Sequence, residues 1–105
     1  MSVCLVYITA SDKAEALSIG RDLVERRLAA CANVHGSVTS IYSWQDDIQQ
    51  DQETVLIAKT TLDLVEKVTE RVVEMHSYEC PCVVSVTITG GHSPFLEWID
   101  AETGT

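Results

Sequence analysis

Positive charge is scarce in this chain: seven Lys and Arg stand against 16 Asp and Glu in 105 residues, a net charge of −9. No basic stripe is available to neutralise phosphates, which excludes nucleic acid as a partner. The same field concentrates cations near the surface without choosing among them. Long apolar runs are missing as well. The longest uncharged stretch, Leu28 to Gln45, is interrupted by Asn33, His35, Gly36 and several hydroxyls, so no membrane-spanning helix is expected. The apolar opening Val3–Ile8 is too short for a signal sequence and has no basic residues ahead of it. This places the protein in the cytosol, where four cysteines are buried thiols or ligands rather than a disulfide frame. There is no Gly-rich phosphate loop, HExxH or nucleophile elbow, and Gly90-Gly91 reads as a strand break. An enzyme is therefore not expected. The length allows one hydrophobic core, a single domain over 1–105, and 46% hydrophobic residues suffice to fold it.

What is present centres on Val34 to Thr60. Val, Ile, Thr, Tyr and Trp crowd its first half, and Val55-Leu56-Ile57-Ala58-Lys59-Thr60 closes its second. Gln45, Asp46 and Asp47 between them are turn chemistry. The pattern predicts a β-hairpin with arms of about 11 to 13 residues, reaching roughly 40 Å. Such a tip projects beyond its own core. Asp46, Asp47, Asp51 and Glu53 solubilise it, while Ile41, Tyr42, Trp44 and Ile48 call for something to pack there.

Around the hairpin the order is strand, helix, hairpin, helix, strand. Val3–Ile8 is apolar on both faces, as a central strand is. Ser11-Asp12 with Glu15 resembles a capping box, and Ala14, Leu17, Gly20, Val24 and Leu28 recur at helical spacing. Arg26 and Arg27 suit the C-terminal end of that helix. Leu28–Asn33, rich in small residues, links it to the hairpin. Thr60 or Thr61 caps a second helix with the apolar face Leu64, Val65, Val68, Val72 and Met75. Val83–Ile88 forms the last strand, and Ser93-Pro94 opens a short terminal helix. The sum is an α+β fold: a ferredoxin-like βαββαβ sandwich with a long extended hairpin, strand order 4-1-3-2, and both long helices on one sheet face. The other face stays apolar and uncovered, and the simplest cover is another copy of the chain.

Several segments in register resemble the CutA family, named for divalent cation tolerance. Leu28-Ala29-Ala30-Cys31-Ala32-Asn33, Thr39-Ser40-Ile41-Tyr42-Ser43-Trp44 and Ile57-Ala58-Lys59-Thr60 stand in the family's order and spacing. His76-Ser77-Tyr78-Glu79-Cys80-Pro81 is similar to its His-Pro-Tyr-Glu-x-Pro motif, with Ser77 in place of the proline. Phe95-Leu96-Glu97-Trp98 matches its terminal Tyr-Leu-x-Trp. The resemblance implies a homotrimer of ferredoxin-like subunits whose hairpins exchange edge contacts, much as in the PII signalling proteins. It also implies a link to copper and other divalent metals, without a defined catalysis. In some members copper ligands are assigned to a cysteine ending the first strand and to a histidine before the Tyr motif. His76 matches the second, and Ile8 stands at the first.

Three candidate sites follow. His76, Glu79, Cys80 and Cys82 gather imidazole, carboxylate and thiols that suit copper or zinc, although H-x3-C-x-C is not a zinc-finger spacing. Tyr42, Trp44, Lys59, Tyr78 and Glu79 form a candidate ligand cleft at a subunit interface, able to take a small anion or metabolite. The plainer reading is an interface in which Lys59 pairs with Glu79. Cys31 is expected as a buried thiol, and Cys4 more so. The functional expectation is a non-catalytic homotrimer in the response to divalent metal ions, binding copper or another divalent cation. The alternatives are a PII-like sensor of a small metabolite and a purely structural trimeric scaffold.

Overall fold

In the computed structural model, which describes residues 2–104, the first strand is buried along most of its length. β1 (Val3–Ala10) buries Cys4, Val6, Ile8 and Ala10 completely, while Tyr7 between them is exposed. It is followed by α1 (Lys13–Glu25), β2 (Cys31–Trp44), β3 (Asp47–Thr61), a 3-10 turn at Leu62–Leu64, α2 (Val65–Met75), β4 (Val83–Thr87) and α3 (Ser93–Ala101). The sheet order is β2-β3-β1-β4 with every neighbour antiparallel, the ferredoxin-like order expected from the sequence. Residues of α1 and α2 share one core with the buried residues of β1 and β3. On the opposite face of the sheet, Ile99 of α3 packs on Val3 and Ala30 at one end.

The first helix shows where periodicity alone misleads. Its buried side is Ala16, Ile19, Gly20 and Leu23. Of the expected stripe, Ala14, Leu17 and Val24 are exposed; Leu17 and Val24 instead border a groove of about 520 Å³ with Ala32 and Val34 of β2. Two apolar stripes overlap at Gly20, and the one with Ala16 wins because it lets the helix lie close to the sheet. A Cβ at Gly20 would sit 3.1 Å from Leu56 Cδ1 and 3.4 Å from Ala32 Cβ. The start of α1 is capped as expected, Asp12 accepting from the Glu15 N–H at 2.8 Å. The return bond, however, goes from Ser11 N–H to Glu15 Oε1 at 3.0 Å, one residue before the cap. α1 stops at Glu25, short of the expected arginines. Arg27 turns back with φ 60° and donates to the carbonyls of Ala101 and Gly104, so its charge serves the end of α3.

β2 begins at Cys31, inside the expected linker, so the hairpin arms are 14 and 15 residues, longer than the sequence pattern gave. Gln45 and Asp46, at φ 50° and 69°, make the two-residue turn with both central residues left-handed. One register shift lies between Gly36 and Val38. The molecule's longest dimension is 44 Å, and at the tip Ile41 and Ile48 remain 68% and 76% exposed. α2 buries Val68 and Val72, with Leu64, Val65 and Met75 packed against the core, as the sequence predicts. Neither threonine caps it. The 3-10 turn intervenes, and Thr60 Oγ1 donates to the Leu28 carbonyl at 2.6 Å. Arg71 of α2 grips Asp22 of α1 through two bonds of 2.8 and 2.9 Å, and with Arg26 it holds the Asp22 carboxyl down to about 2. The last strand ends at Thr87, one residue early, and His92 rather than Ser93 precedes α3.

Candidate functional site

The register places Leu5, Tyr7 and Thr9 of β1 beside Lys59, Ile57 and Val55 of β3, on the face away from the helices. Beyond the bulge, Val38, Ser40, Tyr42 and Trp44 lie opposite Glu53, Asp51, Gln49 and Asp47. Residues 76–82 return from α2 toward β4 at the open end of β1. The outer half of the hairpin, β1 and this loop border an open cavity of about 740 Å³. Tyr7, Tyr42, Trp44 and Tyr78 supply its aromatic wall, Asp51, Glu53 and Glu79 its carboxylates, and Cys80 and Cys82 its thiols.

His76 fixes the loop. Its side chain is wholly buried. Nε2 lies 2.8 Å from the Thr9 carbonyl, and Nδ1 accepts the Tyr78 N–H at 3.1 Å. Those partners assign the neutral tautomer with the proton on Nε2. The Thr9 carbonyl lies past the end of the β1–β4 ladder, which stops at Ile8, so His76 supplies the missing donor. Glu15 adds a second anchor: Oε1 accepts from Ser11 N–H and Oγ, and Oε2 from the Ser77 N–H at 2.9 Å. A proline at 77 has no such donor. Partial burial works against ionising Glu15, yet the bonds from Ser11 and Ser77 outweigh it and hold its carboxyl down to about 2. Tyr78 then packs on His76, ring centres 4.6 Å apart and planes tilted by 49°, and donates its hydroxyl to Glu53 Oε2 at 2.8 Å. Tyr42 donates to Asp51 in the same way. Burial, then the Glu53 carboxylate, raises the Tyr78 phenol, and the bond to Asp51 raises that of Tyr42. Both remain protonated donors at neutral pH.

Three of the four sequence-predicted ligands border the cavity, and His76 does not. Glu79, Cys80 and Cys82 are exposed and border the cavity, but His76 is turned inward with both nitrogens engaged. It corrects from ligand to loop anchor. Among the described residues no group of three or more His, Cys, Asp and Glu is arranged to hold a metal ion. Cys80 and Cys82 both border the same cavity. Within one chain Lys59 shares the sheet face but lies six residues, roughly 20 Å, from Glu53 along β3, and it donates to Asn33. The lining that one chain gives the cavity has no basic residue. Cys31, expected buried, is half-buried opposite Lys59, whereas Cys4 is enclosed and burial raises its thiol. The sequence reading missed Tyr7 and gave Asp51 and Glu53 only a solubilising role; strand parity was the available signal.

The profile of the CutA1 divalent ion tolerance protein matches residues 4–102. The chain belongs to the CutA1 family. It is 41% identical to the divalent-cation tolerance protein CutA of Thermus thermophilus over 100 residues, covering 95% of this chain and 97% of that protein. It is 41% identical to the Protein CutA homolog of Xenopus laevis over 98 residues, covering 93% of this chain but only 65% of that longer protein. The solved structure of the Thermus thermophilus divalent cation tolerance protein superposes with a TM-score of 0.95 at 40% identity, over 97% of this chain and 99% of that one. CutA1 proteins are named for tolerance of divalent ions, not for a reaction, and a role in metal tolerance goes with membership.

Proposed function

We propose that the protein acts in the cytosol, without catalysis, as a homotrimeric component of the response to metal ions, and that it binds copper or another soft cation through Cys80 and Cys82 with Glu79 beside them. The observation that carries the cation reading is two free, exposed thiols on one acidic cavity wall. The chain's negative field attracts any cation, but only sulfur discriminates copper from magnesium or calcium.

Calorimetry under a reductant that does not compete for copper tests this. Wild type is expected to bind copper at least 100-fold tighter than magnesium, taken as about 2.7 kcal/mol. The paired substitution Cys80→Ser, Cys82→Ser removes that preference, and His76→Ala retains it. Copper affinity unchanged in the double serine variant overturns the thiol assignment.

For assembly, the supporting feature is the uncovered sheet face. Tyr7, Val84, Val86, Phe95 and Trp98 are all more than a third exposed there and on the adjoining helix. Sedimentation at micromolar concentration is expected to give about three times the 11.5 kDa chain mass. A monomer under those conditions rejects the trimer. The 740 Å³ cavity favours one second reading, a PII-like trimer that senses a small metabolite near the subunit interface.

A further inference from the structure

We infer that His76 is a proton-driven latch on the loop 76–82: with its ring neutral it holds the Tyr78 N–H, and with its ring charged it turns to Glu15 and lets Tyr78 go. The inference goes beyond the cation reading and stands whether or not the thiols bind a metal. Its observations lie inside one chain. The His76 side chain has no exposed surface, and its partners on β1, α1 and the loop belong to the same copy. Whatever covers the open sheet face therefore leaves the latch in place. Nδ1 has two neighbours and can serve one at a time. It accepts the Tyr78 N–H at 3.1 Å, and it lies 3.9 Å from Glu15 Oε1. An N–H donor suits only an unprotonated Nδ1, and a carboxylate only a protonated one. Nε2 keeps its proton and its bond to the Thr9 carbonyl in either state.

Protonation exchanges the partners. Once Nδ1 carries a proton, two N–H groups meet at 3.1 Å and the Tyr78 amide loses its acceptor. A movement of about 1 Å brings Nδ1–H to the ordinary length of a charge-assisted bond with Glu15. That carboxylate is ionised in advance: partial burial opposes its charge, but the bonds from Ser11 and Ser77 hold it down to about 2. The groups facing the imidazole favour the exchange. α1 contributes Glu15, β1 the Thr9 carbonyl, and the loop itself the Tyr78 phenol, with Glu53 of β3 behind that hydroxyl. Arg71, the nearest cation along α2, is taken by Asp22 and Glu74. Among the described residues no Lys or Arg forms an ion pair with Glu15. The effect reaches outward because Tyr78 packs on the His76 ring and ties the loop to Glu53. Residues 79–82 follow that tie, so acid loosens the segment that carries Cys80 and Cys82.

The chain has three histidines, and His35 and His92 are exposed, so the pair His35→Gln, His92→Gln leaves His76 as the sole imidazole. Nitrogen NMR of this variant follows both ring nitrogens and the Tyr78 amide from about pH 8 to about pH 5, the range in which imidazoles change charge. At the upper end Nε2 is expected to carry the proton. As pH falls, Nδ1 gains one, and the Tyr78 amide shifts with the same midpoint. Its hydrogen-exchange protection factor drops at least about tenfold between the two ends. The amides of Glu79, Cys80 and Cys82 share that midpoint. Glu15→Gln in this background removes the receiving charge, and the midpoint moves down by at least about half a pH unit, about a threefold loss of proton affinity. Should Glu15→Gln fail to fold, the coincidence of ring and amide midpoints carries the test. A His76 ring still neutral at the lower end, a Tyr78 amide that ignores the ring's titration, or an unchanged midpoint in Glu15→Gln overturns the proposal.

Discussion

Leu56→Ala is expected to cost about 3 to 5 kcal/mol of folding stability, the largest single effect in this chain. Leu56 is fully buried on β3, paired with Ile8 on one side and Val34 on the other, in the core shared by both long helices. Its Cδ1 also sets the approach of α1, since that atom lies 3.1 Å from where a Cβ on Gly20 would stand. The two positions are therefore coupled. In wild type, Gly20→Ala gains about 1 kcal/mol of helix propensity and loses much of it to this contact. In the Leu56→Ala background the obstructing methyl is gone, and the added Cβ enters the space left behind. Gly20→Ala is then expected to recover about 0.5 to 1 kcal/mol more than it does alone. Urea unfolding of the four proteins at one fixed protein concentration measures the cycle, since any assembly adds a concentration term. Additive effects would show that α1 does not close on the sheet through this pair.

The same residue explains how far the fold was legible. Val3–Ile8 and Val55–Ala58 are legible as central strands because they are short apolar runs without a helical period. The element order and sheet order follow. α1 was less legible because Leu17-Gly20-Val24 and Ala16-Ile19-Gly20-Leu23 are both acceptable helical stripes. Only the depth available over Leu56 and Ala32 decides for the narrower one. Site legibility failed on similar grounds. Residues 76–82 name the right loop, but no periodicity tells that His76 turns inward to the Thr9 carbonyl while Cys80 and Cys82 turn outward. Lys59 shares the face of the cavity but, within one chain, not its location. The register, once known, puts it far along β3 from Glu53.

Glu15 is expected to make the loop that builds the cavity sensitive to acid. Its carboxylate joins the start of α1 to Ser77, and its folded pKa of about 2 lies below the ordinary 4.5. A folded pKa lower than the unfolded one stabilises the protein fully above the unfolded value. That contribution is lost as pH falls from about 4.5 toward 2. After allowance for its remaining contact with water, the carboxylate is worth about 1 to 2 kcal/mol at pH 7. Glu15→Gln should lose this amount at neutral pH and converge with wild type near pH 2. Asp22 is also held down to about 2 by Arg71 and Arg26, so both proteins keep its acid slope, and the difference between their curves isolates Glu15. Ser77→Pro separates the hydrogen bond from the charge. It removes the N–H that donates to Oε2 but leaves the bonds from Ser11, so its loss should be smaller than that of Glu15→Gln. Urea midpoints from pH 7 to pH 2 read all three proteins. Parallel curves for wild type and Glu15→Gln across that window would place the anchoring of the loop in His76 and Tyr78 alone.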